Sequence, residues 1–183
     1  MSYTTHKGSS REHGFSILYP DTDQAEYDFT SYYHLPATWR ANALPDASGT
    51  PIISIVGYRV ENAASYPRYF DAEVRIGASD DAKEVARCLI TKPDSGETPL
   101  PDADLGGTTF KVFSSSSAGM MQYAKVLSYR AVHNGACIAI EQVETGSSYR
   151  DDPKSSKDIP DSVLNEKYDA LDAIVKTFTF APS

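Results

Sequence analysis

Histidine and serine are the residue types in this chain that most often carry catalysis or bind metals. The four histidines are His6, His13, His34 and His133, and no two are four residues apart, as they are on a metal-binding helix. The serine run at residues 114–117 lacks the elbow or the partner arrangement that activates a serine nucleophile. We therefore predict no catalytic residue, no metal site and no cofactor.

Aromatic residues surround one of these histidines. His34 follows Tyr32 and Tyr33 and precedes Trp39, a grouping that can form a stacking platform for a sugar or a peptide. The same residues can instead pack a core or cover a surface. We take all four as candidate ligand or partner contacts, with packing as the alternative.

Arg130 is the polar residue whose position is most informative. It lies in the middle of a strongly β-like stretch, where a buried charge needs a partner. An ion pair with Glu141 or Glu73 would supply that partner, and binding of a ligand is the alternative. Arg130 is thus a further candidate contact.

The stretch from Tyr123 to Val143 must position Arg130. Its two apolar-rich runs are joined by Asn134-Gly135, which predicts a hairpin with a type I′ turn because both turn positions need φ > 0. The expected pairs are His133–Ala136, Val132–Cys137, Arg130–Ala139, Tyr129–Ile140 and Leu127–Gln142. Alternation then gives one apolar face and one mixed face, and the mixed face indicates partial cover by another layer.

Periodicity and helix-boundary residues predict the other elements. Strands are expected at residues 15–19, 51–60, 70–76, 108–113 and 177–180. A helix should start at Ser79-Asp80-Asp81 and stop before Lys92-Pro93, with the apolar stripe Ala82, Val85, Ala86 and Leu89. A second helix should open at Asp158, with the stripe Leu164, Tyr168, Leu171 and Val175.

Three stretches lack such patterns. We expect residues 1–13 to be a flexible N-terminal arm and residues 114–119 to be a flexible connection. Residues 91–107 contain three prolines, three glycines and four acidic residues, which favours a long surface loop. Residues 14–183 should form a single α+β domain.

Composition limits the classes of partner. The 183 residues carry a net charge of −8, which argues against binding nucleic acid through bulk electrostatics. No apolar run is long enough to predict a transmembrane segment. The 25 acidic residues always offer candidate carboxylate pairs, so their number does not identify a hydrolase.

The two cysteines, Cys88 and Cys137, bear on the compartment. Neither lies in a CxxC motif or in a zinc-ligand spacing. They are either two buried free thiols or a disulfide, and a disulfide implies an oxidising compartment. The polar N-terminus lacks the apolar core of a signal peptide, so we expect either a cytosolic protein or a mature form with a new Met1.

The segments YRAVHNGACIAIEQV and LDAIVKTFTF, together with the order of the predicted elements, resemble the PsbP-like superfamily. Its members are extrinsic photosystem II proteins and bacterial relatives, many of them secreted or lipid-anchored. The resemblance implies a central antiparallel sheet flanked by helices, an α/β/α sandwich. It carries over no catalytic residue and implies a binding or assembly role.

We therefore expect a non-catalytic, extracytoplasmic domain of the bacterial cell envelope. It would be periplasmic or secreted, and a lipid anchor in the precursor is a further option. Its partner would be a protein or another envelope component, and a Cys88–Cys137 disulfide would link the first helix to the hairpin. Two alternatives remain. One is an inhibitor of a secreted hydrolase that uses the 91–107 loop, and the other is a small hydrolase with an unrecognised site.

Overall fold

The computed structural model describes residues 5–62, 68–92, 94–147 and 159–182, and these residues form ten strands and two helices. The strands of the first half are β1 (Thr5–Ser10), β2 (Phe15–Pro20), β3 (Gln24–Glu26), β4 (Thr50–Asn62) and β5 (Arg68–Ser79). Those of the second half are β6 (Glu97–Leu105), β7 (Thr108–Gly119), β8 (Gln122–His133), β9 (Ala136–Ser147) and β10 (Thr179–Phe180). The helices are α1 (Ala82–Arg87) and α2 (Asp161–Val175).

The strands form two antiparallel sheets. The larger sheet has seven strands in the order β3-β4-β5-β9-β8-β7-β6, and the smaller has the order β1-β2-β10. Strands β6 to β9 follow one another as hairpins, and the last of them returns to pair with β5. The described fold is therefore mainly antiparallel sheet, with two helices added to it.

The central hairpin has the predicted register. His133 pairs with Ala136 and Arg130 pairs with Ala139. Asn134 and Gly135 have φ values of 49° and 79°, as a type I′ turn requires. The hairpin prediction is confirmed because its signals are local, namely a two-residue turn and strict alternation of side chains.

One face of the large sheet forms the main apolar core. Helix α2 lies against this face, and the predicted stripe of Leu164, Tyr168, Leu171 and Val175 is buried. The sheet contributes Val74, Ile76, Ile138 and Ile140, each completely buried. Full burial of such a side chain contributes about 1.5–3 kcal/mol, so this layer supplies much of the driving force for folding. The predicted opening residue, Asp158, lies outside the described residues, and the helix begins at Asp161.

The opposite face of the large sheet is covered mainly by irregular chain. We call residues 27–49 the cover segment. Leu35 and Ala41 of this segment pack on β8 and β9, and Trp39 packs on the Cys88–Cys137 disulfide. The only helix near this face among the described elements is the six-residue α1, so the expected helix-flanked sandwich is realised on one face and not on the other.

Glycine permits the closest approach of the cover segment to the sheet. A Cβ atom at Gly77 of β5 would lie 1.8 Å from the carbonyl oxygen of Trp39. No side chain fits in that space, because the backbone of the cover segment lies directly on the strand. The close contact between Trp39 and Gly77 therefore sets the distance between the cover segment and the sheet.

Part of the flexible arm expected at residues 1–13 is a strand in the structure. Residues 5–10 form β1, which pairs with β2 along its whole length. One of its six residues is Gly8, and all five of its side chains are exposed or half-buried, so the strand has little apolar pattern. Its order comes from backbone hydrogen bonds to β2, which the sequence pattern does not reveal.

The segment 91–107 is not the long loop that its composition indicated. Residues 97–105 form β6, an edge strand with a register irregularity between Leu100 and Ala103. Proline and acidic residues are common on edge strands because they discourage pairing with another chain. The same composition is typical of loops, which explains the error. Residues 114–119, expected as a flexible connection, likewise belong to β7.

Helix α1 starts as predicted but buries a different face. The Asp81 carboxylate caps it by accepting hydrogen bonds from the backbone N–H groups of Lys83 and Glu84. Glu84 is its buried side chain and Cys88 is buried directly after it, while Ala82, Ala86 and Leu89 of the predicted stripe are exposed. An ion pair and the disulfide determine its orientation, rather than hydrophobic periodicity. The helix also ends at Arg87, before the predicted stop.

The disulfide should contribute strongly to stability. It joins residues 49 apart in sequence, and closing such a loop in the unfolded chain is worth about 4 kcal/mol in the chain-entropy model. We expect Cys88→Ala/Cys137→Ala to lose about that free energy of unfolding, as measured by urea denaturation. Reducing the wild-type protein should produce a similar loss. Equal stability of the oxidised wild type and the double variant would contradict this prediction.

Candidate functional site

The covered face of the large sheet carries a network of buried charges. Arg40 of the cover segment lies between Glu84 of α1 and Glu97 of β6, with N–O distances of 3.2 and 3.5 Å. Arg130 of β8 donates a hydrogen bond to Glu97. The hydrogen-bonded ion-pair partner of Arg130 is therefore Glu97, whereas we predicted Glu141 or Glu73. The sequence could not single out Glu97, because that residue was expected in a loop.

Glu141 completes this network from β9. Its Oε1 atom accepts a hydrogen bond of 2.7 Å from the backbone N–H of Ala41, and Glu84 Oε1 accepts one of 2.8 Å from Leu44. The network thus binds the backbone of the cover segment at two positions, Ala41 and Leu44. Burial raises the pKa of Glu141, and burial followed by repulsion from Arg40 lowers the pKa of Arg130.

A second polar cluster holds the start of the cover segment. The Tyr32 hydroxyl donates a hydrogen bond of 2.6 Å to Asp71 Oδ2, and the Tyr32 ring stacks on Tyr69 at 5.2 Å. Arg75 Nη2 donates a hydrogen bond of 2.6 Å to the Thr30 carbonyl. Burial, reinforced by the hydrogen bond to Asp71, raises the pKa of Tyr32. Tyr32 is therefore packed and hydrogen-bonded in the structure.

The predicted aromatic group is divided by the fold. Trp39 is 3% exposed, and the Arg40 guanidinium lies 5.2 Å from its ring, so it presents no free face. Tyr33 is 64% exposed, and its ring meets His34 edge-on at 4.7 Å. Trp39 is therefore removed from the surface, Tyr32 and His34 are half-buried, and Tyr33 is exposed.

A cleft of about 580 Å³ opens beside His34, between the cover segment and strands β7 and β8. We call it the serine cleft. The cover segment contributes His34, Leu35, Pro36, Thr38, Ala41, Asn42, Ala43 and Pro45, and the rest of the lining is Ser95, Gly96, Ser115, Ser116, Ser117, Ala124 and Val126. These lining residues include hydroxyl, amide and imidazole groups but no acidic side chain, lysine or arginine.

Strand pairing orients two of these serines. Ser115 lies opposite Val126 and Ser117 lies opposite Ala124, and both of those β8 residues face the cover segment. Asn42 Nδ2 donates a hydrogen bond of 3.3 Å to Ser115 Oγ. The sequence pattern does not place these serines on a strand, because a run of identical serines hides the alternation that marks one.

The cleft lacks the contacts of a serine hydrolase in the part of the chain that the structure describes. His34 Nε2 forms a hydrogen bond of 2.8 Å with the Gly119 carbonyl oxygen, and none joins this histidine to a serine hydroxyl. A nucleophilic serine requires a base within hydrogen-bonding distance and a further group that orients the base. The described groups of the cleft can instead donate and accept hydrogen bonds to an uncharged ligand.

A second cavity of about 710 Å³ lies between α2 and strands β2 and β4. Its lining is mainly apolar, with Asp23 and Lys167 as charged residues, and burial raises the pKa of Asp23. The described residues contain no cluster of three or more histidine, cysteine or acidic side chains suited to a metal ion. Neither described helix is long and apolar enough to span a membrane.

Comparison with known proteins yields a weak structural likeness and no sequence match. No protein-family model matches the sequence, and no curated protein matches it. Among solved structures, the chain is similar to the crystal structure of LpqN, which is involved in cell envelope biogenesis of Mycobacterium tuberculosis. The identity is 15% and the TM-score 0.45, covering 100% of this chain and 93% of that chain. A likeness of this strength carries no conclusion about function.

The buried Glu141 should make stability depend on pH. Burial raises its folded-state pKa, whereas an unfolded glutamate has a pKa of about 4.3. The stabilisation from its protonated form is thus present below pH ~4.3 and is lost as pH rises through the folded-state pKa. Glu141→Gln stays neutral, so its stability relative to wild type should increase as pH rises from about 4 to about 7.

Urea denaturation at several pH values measures this difference. Glu166→Gln, on the exposed side of α2, is the matched control and should show a smaller change with pH. A constant difference between Glu141→Gln and wild type across the same range would contradict the prediction.

Proposed function

We propose that the protein is a non-catalytic, extracytoplasmic protein-binding domain of the bacterial cell envelope. In this proposal the serine cleft holds an uncharged segment of a partner polypeptide. The Cys88–Cys137 disulfide supports the location, since such bonds persist in oxidising compartments. The PsbP-like relationship and a lipid-anchored form belong to the same proposal.

The observation that carries the proposal is the chemistry of the serine cleft. The whole chain has a net charge of −8, yet the residues that line this opening carry no acidic side chain, lysine or arginine. Its hydroxyl and amide groups match the N–H and C=O groups of a peptide backbone, and its alanine, valine and proline residues can contact small side chains. A volume of about 580 Å³ is also typical of a binding cleft.

The attachment of the cover segment supports a cleft that is formed before the partner binds. One wall of the cleft is the cover segment, which Glu84 and Glu141 hold through its backbone. Trp39, two residues before Ala41, packs on the disulfide. A wall that is already fixed loses little conformational freedom on binding, which favours affinity.

Removing the inward-facing hydroxyls should weaken binding of a peptide. The probe is a peptide selected on the wild-type protein from a random phage-displayed library. We expect Ser115→Ala/Ser117→Ala to raise the Kd of that peptide about thirtyfold, since each of the two lost hydrogen bonds is worth about 1 kcal/mol. Fluorescence anisotropy measures the Kd. Ser114→Ala is the control, because Ser114 lies on the same strand and points to the opposite face.

A blocking variant tests the position of the site. Ser117→Tyr places a ring in the cleft at an exposed position, where the fold should tolerate it. We expect this variant to lose peptide binding while keeping its circular dichroism spectrum. Unchanged binding by Ser117→Tyr, or selection of no peptide at all by the wild type, would contradict the proposal.

A further inference from the structure

The turn between β7 and β8 has an unusual composition for its conformation. Gly119 pairs with Gln122, which leaves Met120 and Met121 as the two residues of the turn. Their φ values are 51° and 62°, so both have the left-handed conformation of a type I′ turn. Side chains with a Cβ atom rarely adopt this conformation, and methionine gains no local hydrogen bond there.

The same molecule contains a matched example of the favourable choice. The turn between β8 and β9 has the same conformation and consists of Asn134 and Gly135, the preferred pair for this turn. The two turns lie at opposite ends of β8. The Met120-Met121 turn therefore carries a conformational cost that a change of two residues would remove.

These methionines are also exposed to solvent. Met120 is 75% exposed and Met121 is 57% exposed. His34 connects them to Tyr33, because His34 Nε2 forms a hydrogen bond with the Gly119 carbonyl oxygen and its ring meets Tyr33. We call Tyr33, Met120 and Met121 the methionine tip. Exposed apolar groups on a strained backbone are characteristic of contact surfaces.

We propose that the methionine tip is the apolar contact for the partner polypeptide whose uncharged segment occupies the serine cleft. This inference rests on the proposed function. His34 both lines the cleft and bonds to the strand end that carries the methionines, so the two surfaces are continuous. Methionine suits this role because its flexible thioether side chain adapts to different apolar side chains.

The charge of the tip favours a polypeptide over a membrane. None of the three residues of the methionine tip is charged, and the chain as a whole carries −8. Binding to anionic lipid relies on clusters of lysine and arginine, which the tip lacks. An apolar side chain of a protein partner requires no such cations.

Replacing the two methionines of the turn distinguishes an effect on peptide binding from an effect on protein stability. Met120→Asn/Met121→Gly restores the preferred residues of the type I′ turn, so we expect its Tm to equal or exceed that of wild type. The same variant should bind the selected peptide at least about tenfold more weakly, because the apolar contact is gone. Met120→Leu/Met121→Leu keeps the apolar surface and should retain most of the affinity.

Two further measurements locate the contact. Val132→Asn changes an exposed apolar residue at the far end of β8 and should bind within about twofold of wild type. Bound peptide should slow the oxidation of Met120 and Met121 by hydrogen peroxide. Mass spectrometry of the methionine sulfoxides measures the rate of this oxidation.

The outcomes distinguish this inference from the function on which it rests. Wild-type affinity in Met120→Asn/Met121→Gly, with binding lost in Ser117→Tyr, would overturn the role of the tip alone. Wild-type affinity in Ser117→Tyr would instead overturn the proposed function. Co-sedimentation with phosphatidylglycerol–phosphatidylethanolamine vesicles, lost in the Asn–Gly variant, would assign the tip to a lipid surface and overturn the inference.

Discussion

The cover segment depends on carboxylates that lie beneath it. Over residues 27–49 this chain forms no helix and no long strand, so its backbone N–H groups need partners from elsewhere in the protein. Glu141 accepts from Ala41 and Glu84 accepts from Leu44, each from a different element. Buried donors left without a partner cost about 1–3 kcal/mol each, so these two acceptors determine where the segment can lie.

The same network links elements that are far apart in the sequence. Arg40 joins α1 to β6, and Glu97 joins Arg40 to Arg130. Buried ion pairs add little net stability, because removing both charges from water costs nearly as much as their attraction returns. Their effect is on position, since a single missing partner would leave an uncompensated buried charge. The serine cleft inherits its shape from this constraint, because the cover segment is one of its walls.

The sequence predicted those parts of the fold whose signals are local. The central hairpin follows from Asn134-Gly135 and from alternation, and α2 follows from an uninterrupted apolar stripe. The inward face of α1 was missed because it depends on a partner distant in sequence, Arg40. The strand β6 was missed because the composition of an edge strand is also that of a loop. The cleft was missed because its two sides come from a segment without periodicity and from a run of identical serines.

Protonation of Glu141 need not release the cover segment. A neutral carboxylic acid still has a carbonyl oxygen that accepts a hydrogen bond, so the Ala41 N–H can keep its partner in either state. Burial favours the neutral form of Glu141, and it outweighs the attraction of Arg40 and Arg130 for the carboxylate. Stability can therefore change with pH while the wall of the cleft stays in place. The serine cleft therefore keeps this wall in both protonation states of Glu141.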